Sequence, residues 1–271
     1  MTRLVYIGGY GRSGSTLLEY LLTASPNVIA CGEVVACANG QSAELCSCGE
    51  PREVCPVWGK LLRTTSQPVN WSHLALTKAV LDQVTPDDAI VVDSSKTAWG
   101  SFRVPFALQQ ELGKRFGLIH VVRDPHGVCW SNVTGRRRRR GKLLPEIQYS
   151  PMRFVRHARS VLGWWVANIA CEFFRRRHPD RYVRVRYEDL ASAPDAVLDT
   201  IFRQLELGPK PDLGTVGEHN NRHQLFGSRV RFTKLSPTDI RPDTRWRSDM
   251  KPLDRWVISA LTWPLRWRYS Y

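Results

Sequence analysis

Short apolar runs rich in branched residues recur along the chain, each followed by a segment with apolar positions at helical spacing. Leu4–Gly8 leads into Thr16–Ser25, Ala89–Val92 into Phe102–Gly113, Leu118–Val122 into Gly127–Thr134, and Tyr182–Val185 into Pro194–Leu205. This alternation predicts an α/β fold, a three-layer sandwich with a central parallel sheet and helices on both faces. In such sheets ligands sit at the carboxyl ends of the strands, which directs attention to the residues just after Ile7, Val92 and Val122. The long segment Phe154–Arg177 carries Trp164, Trp165, Ile169 and Phe173 at helical spacing and predicts a helix with its aromatic face on the sheet. Between these units lie a Cys-rich loop (31–58), an Arg-rich loop (135–141) and a basic, Trp-rich C-terminal part (208–271) with weak periodicity. No linker or internal repeat divides the chain, so residues 1–271 are expected to form one domain.

Composition adds a sign to this picture. The formal net charge is +14, which implies an anionic partner: nucleic acid, a membrane surface or a phosphorylated ligand. The apolar run at the N-terminus is too short for a signal-peptide core, and no later segment is long enough to span a bilayer. The expected location is the cytoplasm, where the seven cysteines would be reduced thiols or metal ligands.

The first strand runs into Gly9-Tyr10-Gly11-Arg12-Ser13-Gly14-Ser15-Thr16 and then a helix. Glycines here let the backbone turn and present N–H groups, together with a helix N-terminus, to a phosphate. The glycine spacing is that of a nucleoside-triphosphatase loop, but Ser15 stands where that loop needs its lysine. Metal-dependent transfer of a γ-phosphate is therefore disfavoured, and Arg12 offers another way to hold a phosphate. A second anion site follows the run Leu118–Val122, where Arg123-Asp124-Pro125 precedes Ser131 by two helical turns. An arginine at a strand end and a hydroxyl from the next helix can converge on one phosphate, so a nucleotide with two separated phosphates would engage both loops.

At these residues the chain resembles the sulfotransferase superfamily, and within it the branch of tyrosylprotein, carbohydrate and bacterial sulfotransferases. The matching segments are Gly11–Leu18, Val122–Pro125 through Ser131, and Val185-Arg186-Tyr187-Glu188-Asp189-Leu190, covering roughly residues 3 to 205. The resemblance implies a P-loop-like sulfotransferase fold and the donor 3′-phosphoadenosine-5′-phosphosulfate (PAPS), with 3′-phosphoadenosine-5′-phosphate (PAP) as product. It implies that Arg12, Ser13, Gly14, Ser15 and Thr16 cradle the 5′-phosphate and sulfate, that Arg123 and Ser131 bind the 3′-phosphate, and that Tyr187 sits beside the adenosine. Phe226-Gly227-Ser228-Arg229-Val230-Arg231 resembles a late glycine-containing phosphate loop of related bacterial enzymes, which would add Gly227, Ser228, Arg229 and Arg231 to the donor site. A basic surface hairpin is the competing reading of that segment.

Sulfuryl transfer to a hydroxyl needs a proton acceptor and positive charge at the leaving oxygen. In the resembled branch a glutamate in the context Cys31-Gly32-Glu33 serves as base, and Lys96, at the end of Val91-Val92-Asp93-Ser94-Ser95, matches a lysine that contacts the transferring group. Asp93 or Ser94 would orient that lysine, and Arg12 would share in offsetting charge. His120 and His126 flank the second anion motif and are read as structural. No divalent metal is required, because arginine, lysine and backbone N–H groups supply the field that magnesium gives a kinase.

Cys37, Cys46, Cys48 and Cys55 place four thiols within nineteen residues but lack paired Cys-x-x-Cys knuckles, leaving zinc, a disulfide and free thiols all open. The block Arg136 to Arg140 could reach a phosphate, an acidic acceptor or a membrane, or form a solvated loop. For the tail from Trp256 to Tyr269, core packing is favoured over contact with a membrane surface. The expected partners are the nucleotide donor and a hydroxyl-bearing small-molecule, glycan or lipid acceptor; a peripheral membrane contact and a homodimer stay open. A P-loop-type kinase is the enzymatic alternative. A basic nucleic-acid-binding module is the non-enzymatic one, disfavoured because the arginines lack interleaved aromatics and no recognition motif is present.

Overall fold

The computed structural model describes residues 3–40, 43–64, 72–83, 88–135, 138–139, 142–143, 150–219, 221–227, 232 and 240–271. Along the chain come β1 (Arg3–Gly9), α1 (Ser15–Leu22), β2 (Val28–Gly32), α2 (Val34–Ala38), α3 (Trp58–Thr64), α4 (His73–Gln83), β3 (Ile90–Asp93), α5 (Val104–Leu112), β4 (Phe116–Val122) and α6 (Pro125–Thr134). A two-strand ribbon of β5 (Arg138–Arg139) and β6 (Lys142–Leu143) precedes α7 (Met152–Arg177) and β7 (Tyr182–Arg186). Then follow α8 (Tyr187–Ser192), α9 (Pro194–Gln204), α10 (Trp246–Asp249) and α11 (Pro252–Arg268).

The main sheet has the order β2-β3-β1-β4-β7, and every neighbouring pair is parallel. Because strand side chains alternate between faces, the apolar runs of β1 and β4 must find cover on both sides. Val5, Ile7, Ile119 and Val121 pack with Leu18, Leu21 and Leu22 of α1 and with Leu190, Leu198, Ile201 and Phe202 of α8 and α9. Leu4, Tyr6, Phe116 and Leu118 pack on the other face with Leu76 and Val80 of α4, Leu108 of α5, and Cys171 and Phe174 of α7. Each such side chain contributes about 1.5–3 kcal/mol through burial. The three layers are thus dictated by the period-2 alternation within runs that are apolar throughout.

Two expectations shift in detail. The helix α7 has the predicted period but a different phase: Trp164 is fully buried, whereas Ile169 and Phe173 are exposed, and the inward row runs through Val161, Trp164, Ala167, Cys171 and Phe174. The inward row sets Trp164 and Phe174 beside the small residues Ala167 and Cys171, and Gly163 leaves room for the Tyr10 and Trp99 rings. The tail is divided in the same way. Ile258, Thr262 and Tyr269 pack inward, and Asp254 accepts from Arg153 Nε of α7 at 3.2 Å, but Trp256, Trp263 and Trp267 of α11 stay 70, 64 and 80% exposed. Among the described residues no helix is long and apolar enough to cross a membrane.

The carboxyl ends of β1, β3, β4 and β7 converge on one side of the sheet. The turns that leave them carry residues 9–16, 93–97, 123–124 and 187, and these four turns build the site.

Candidate active site at the carboxyl ends of the strands

β1 leaves the sheet at Gly9, whose φ of 108° places a would-be Cβ 2.2 Å from Val121 O, so only glycine fits so close to β4. Thr97 Oγ1 accepts the Gly9 N–H at 3.1 Å and donates to Ala167 O at 2.9 Å, tying the loop to β3 and α7. The loop closes at Gly14, φ 99°, where a Cβ would lie 2.6 Å from the Tyr187 ring. Gly14 is the N-cap of α1, and no side chain caps that helix. The helical ladder opens with Leu18 N–H donating to Gly14 O at 3.0 Å, leaving the N–H groups of the first turn for an anion. Ser15 and Thr16 line the cavity there. Ser13 is placed differently: its side chain is buried beneath the loop, outside the cavity wall, and its hydroxyl has no partner among the described residues.

The predicted second anion site is made of side chains. Arg123 is 5% exposed and lies over the Tyr187 ring, its guanidinium carbon 4.3 Å from the centroid. It donates to Arg12 O from Nη1 and to Asp243 O from Nη2, both at 3.0 Å, while its Nε is buried without a partner. On the other side a Cβ at position 127 would meet Arg123 Nε at 2.9 Å, so Gly127 gives the guanidinium its room. The Tyr187 hydroxyl oxygen Oη accepts the Asp243 N–H at 3.2 Å. The Asp243 carboxyl is held down to about 2, first by its hydrogen bond from Arg245 and further by the charges of Arg245 and Arg123. Asp124 accepts the His126 N–H at 2.8 Å as N-cap of α6, with Pro125 beginning the helix. Ser131, two turns on, faces the same cavity, and the Arg12 guanidinium lies beside the last turn of α6, near Gly135.

At the end of β3, Lys96 Nζ donates to Glu33 Oε1 at 2.5 Å. Both side chains are largely shielded, 16 and 25% exposed. Lys96 adopts a φ of 68°, a left-handed conformation that costs a lysine about 1–3 kcal/mol and is held by the surrounding bonds. Tyr6 OH donates to Lys96 O, and Lys96 N–H donates to Ile7 O at 3.2 Å. Asp93 does not touch the lysine. Its carboxylate accepts the Ser95 N–H at 2.9 Å and the Ser95 hydroxyl, and it meets His73 Nε2 at 2.7 Å. Ser95 Oγ in turn accepts the Val35 N–H at 2.9 Å, linking the β3 turn to the helix that follows Glu33.

These turns enclose one cavity of about 580 Å³ lined by Arg12, Gly14, Ser15, Thr16, Glu33, Lys96, Arg123, Ser131, Tyr187 and Gly227, together with Tyr10, Trp99, Asn132 and Phe226. Three residues with left-handed backbones that are not glycine, Arg12, Lys96 and Trp99, line it. Ser228, Arg229 and Arg231 lie outside the described residues, as do the side chains of Arg136 to Arg140.

The two histidines beside the second motif are structural. His120 is fully buried between Tyr182 OH and Asn168 Oδ1, each at 2.7 Å, and burial pushes its pKa down to about 4. His126 stacks on Trp246 at 4.8 Å and meets Asp124 Oδ1 at 2.7 Å. Neither lines the cavity. The thiols are arranged unlike the sequence grouping: Cys46, Cys48 and Cys55 come together with His223, while Cys37, on α2, packs against the same core cluster without joining that group. None of the seven cysteines is disulfide-bonded.

A family model described as "Sulfotransferase family" matches residues 116–211, the stretch that holds Arg123, Ser131 and Tyr187. Solved structures match over nearly the whole chain. The sulfotransferase domain of the Synechococcus PCC 7002 olefin synthase is 18% identical, with a TM-score of 0.54, covering 100% of this chain and 95% of that one. The chain shares the fold of this sulfotransferase domain. A sulfotransferase domain from the curacin biosynthetic pathway is 19% identical with a TM-score of 0.53, covering 96% of this chain and 97% of its own. Mouse sulfotransferase SULT7A1, solved with PAP, is 12% identical with a TM-score of 0.55, covering 98% and 84%. No curated protein matches the chain.

Against this sulfotransferase fold, several positioning residues escape the sequence motifs. Glu19 of α1 is 1% exposed and accepts the N–H of Gly32, next to Glu33, at 2.7 Å. Burial pushes its carboxyl up to about 7, opposed by hydrogen bonds from Ser94, the Gly32 amide and Gln224 and by the charge of Lys96. A charged residue in the otherwise apolar run Leu17–Leu22 was the available signal. His73 and Asp243 carry no local signal, because they reach the site from α4 and from the segment before α10.

Proposed function

We propose that the protein is a PAPS-dependent sulfotransferase acting on a hydroxyl acceptor. The observation that carries the reading is the Glu33–Lys96 pair sharing one cavity with two separate anion sites, one of them a phosphate-type loop with serine in place of the lysine. The donor's two phosphate-bearing ends suit the two sites. The uncapped N-terminus of α1 offers N–H groups to the 5′ end, and Arg123, with its unpartnered Nε and its stack on Tyr187, offers a buried guanidinium to the 3′-phosphate. The mouse structure, solved with PAP, has this fold.

PAPS supplies the sulfuryl group; the chain supplies position, charge and a base. Glu33 Oε1 takes the proton of the attacking hydroxyl. Lys96 Nζ leaves its partner Glu33 to meet the negative charge that grows on the bridging oxygen, and its strained backbone turn, fixed by Tyr6 and by the Asp93–Ser95 bonds, keeps the ammonium at that point. Tyr10 and Trp99, ring centroids 6.4 Å apart, give the acceptor side an aromatic wall suited to an apolar or ring-bearing molecule.

Calorimetric titration with PAP and with ATP, each with and without magnesium, tests the reading. PAP is expected to bind without magnesium and to exceed ATP by at least about tenfold. Preference for ATP with magnesium would replace the sulfotransferase by a kinase.

A further inference from the structure

We propose that Cys46, Cys48, Cys55 and His223 form a structural zinc site, which the sulfotransferase reading neither needs nor implies. Their ligand atoms all lie within 4.8 Å of one another, and three of the four residues are buried. A tetrahedral zinc with bonds of about 2.3 Å to sulfur and 2.0–2.1 Å to nitrogen sets ligand atoms roughly 3.5–3.8 Å apart. Cys55 Sγ stands 3.6 Å from Cys46 Sγ and 3.4 Å from His223 Nδ1. The same 3.6 Å is far beyond a sulfur–sulfur bond, and a Cys46–Cys55 disulfide would leave Cys48 and His223 without a purpose in the cluster.

Cysteine binds a metal as the thiolate. Three sulfurs and one imidazole nitrogen in tetrahedral array select zinc among common divalent ions, and four protein ligands leave no open position for chemistry. On binding, the three thiols give up their protons and neutral His223 coordinates through Nδ1, so the site carries a net charge of about −1 within a strongly basic chain.

The site clips the Cys loop to a distant segment. His223 N–H donates to Ala30 O at 2.7 Å and Ala30 N–H to Asn221 O at 2.9 Å, so residues 221–223 extend the sheet beside β2. Ser47 N–H donates to Gln224 O at 3.1 Å, and Trp58 Nε1–H donates to His223 O at 2.5 Å. Three residues past His223 the chain forms the Phe226–Gly227 wall of the cavity, with position 227 facing Glu33. Zinc therefore fixes that wall without touching substrate.

Metal analysis of the full chain purified under reducing conditions tests the site, with no donor or acceptor present, so the outcome is separate from that of the sulfotransferase reading. About one zinc per chain is expected, retained in Cys37→Ser and reduced at least about fivefold in Cys48→Ser and His223→Ala. In case those variants fold poorly, cobalt exchanged into the wild-type chain gives a second readout: intense visible absorption of a tetrahedral cobalt–thiolate centre. Absence of zinc, zinc retained in both ligand variants, a Cys46–Cys55 disulfide by mass spectrometry, or only the weak spectrum of octahedral cobalt would each overturn the assignment.

Discussion

On the donor-binding reading proposed above, the two ends of the cavity hold anions by different means. At the first, glycines and an uncapped helix present backbone N–H groups, and side chains matter mainly by being absent, as at Gly9 and Gly14. At the second, one buried guanidinium is held by Tyr187, Asp243 and Arg12 O and needs Gly127 for room. The first end is thus built into the sheet and fails with the fold, whereas the second can be removed by one substitution with the fold left standing.

Neither end moves the proton, so Glu33→Gln separates chemistry from recognition. Turnover of PAPS with a working acceptor is expected to fall about 10²–10⁴-fold. PAP affinity should stay within about threefold, under 1 kcal/mol. An equal loss in both would make Glu33 part of the donor site. Next in size is the glycine contrast in the first loop. Gly9→Ala combines an unfavourable φ with a collision against backbone and should cost about 3 kcal/mol or more in denaturant unfolding. Gly11→Ala meets nothing within 4 Å and should stay within about 0.5 kcal/mol. Similar losses at both would refute the claim that close approach to β4 is what demands glycine.

The smallest expected effect concerns Glu19, which holds the Gly32 amide next to Glu33. Its carboxyl rises from an ordinary 4.5 to about 7 on folding, so between those values the native chain holds a proton that the unfolded chain has lost. Its contribution to stability therefore falls as pH rises through that window, by up to about 1.4 kcal/mol per pH unit, and stays low above it. Glu19→Gln removes this loss. Relative to wild type, the variant should gain on the order of 2 kcal/mol between pH 5 and pH 8. An offset independent of pH would mean that Glu19 ionises as freely folded as unfolded.

Much of this was readable in the sequence because the information was local. Strand β1 and its loop, β4 with Arg123-Asp124-Pro125, and the helix carrying Ser131 are each one contiguous stretch in which apolar pattern and turn chemistry agree. What could not be read is what the fold assembles from afar. Cys55 and His223 are separated by 168 positions and Arg123 and Asp243 by 120, and no local period links such pairs. The phase of α7 was missed for a related reason. Trp164 and Phe174 turn inward while Phe173 turns outward, so size alone does not choose the face, which depends on the shape of the surface it meets.

One nucleotide bridging the two anion ends is tested by comparing PAP with 5′-AMP, which lacks the 3′-phosphate, on wild type and on Arg123→Ala. Wild type is expected to prefer PAP by about 100-fold, consistent with a buried charge pair of about 2–5 kcal/mol. In Arg123→Ala that preference should collapse to within about threefold while AMP affinity is kept. If Arg123→Ala weakened both ligands alike and left the gap between them intact, Arg123 would not be the 3′-phosphate site and the two-ended account of the cavity would be wrong.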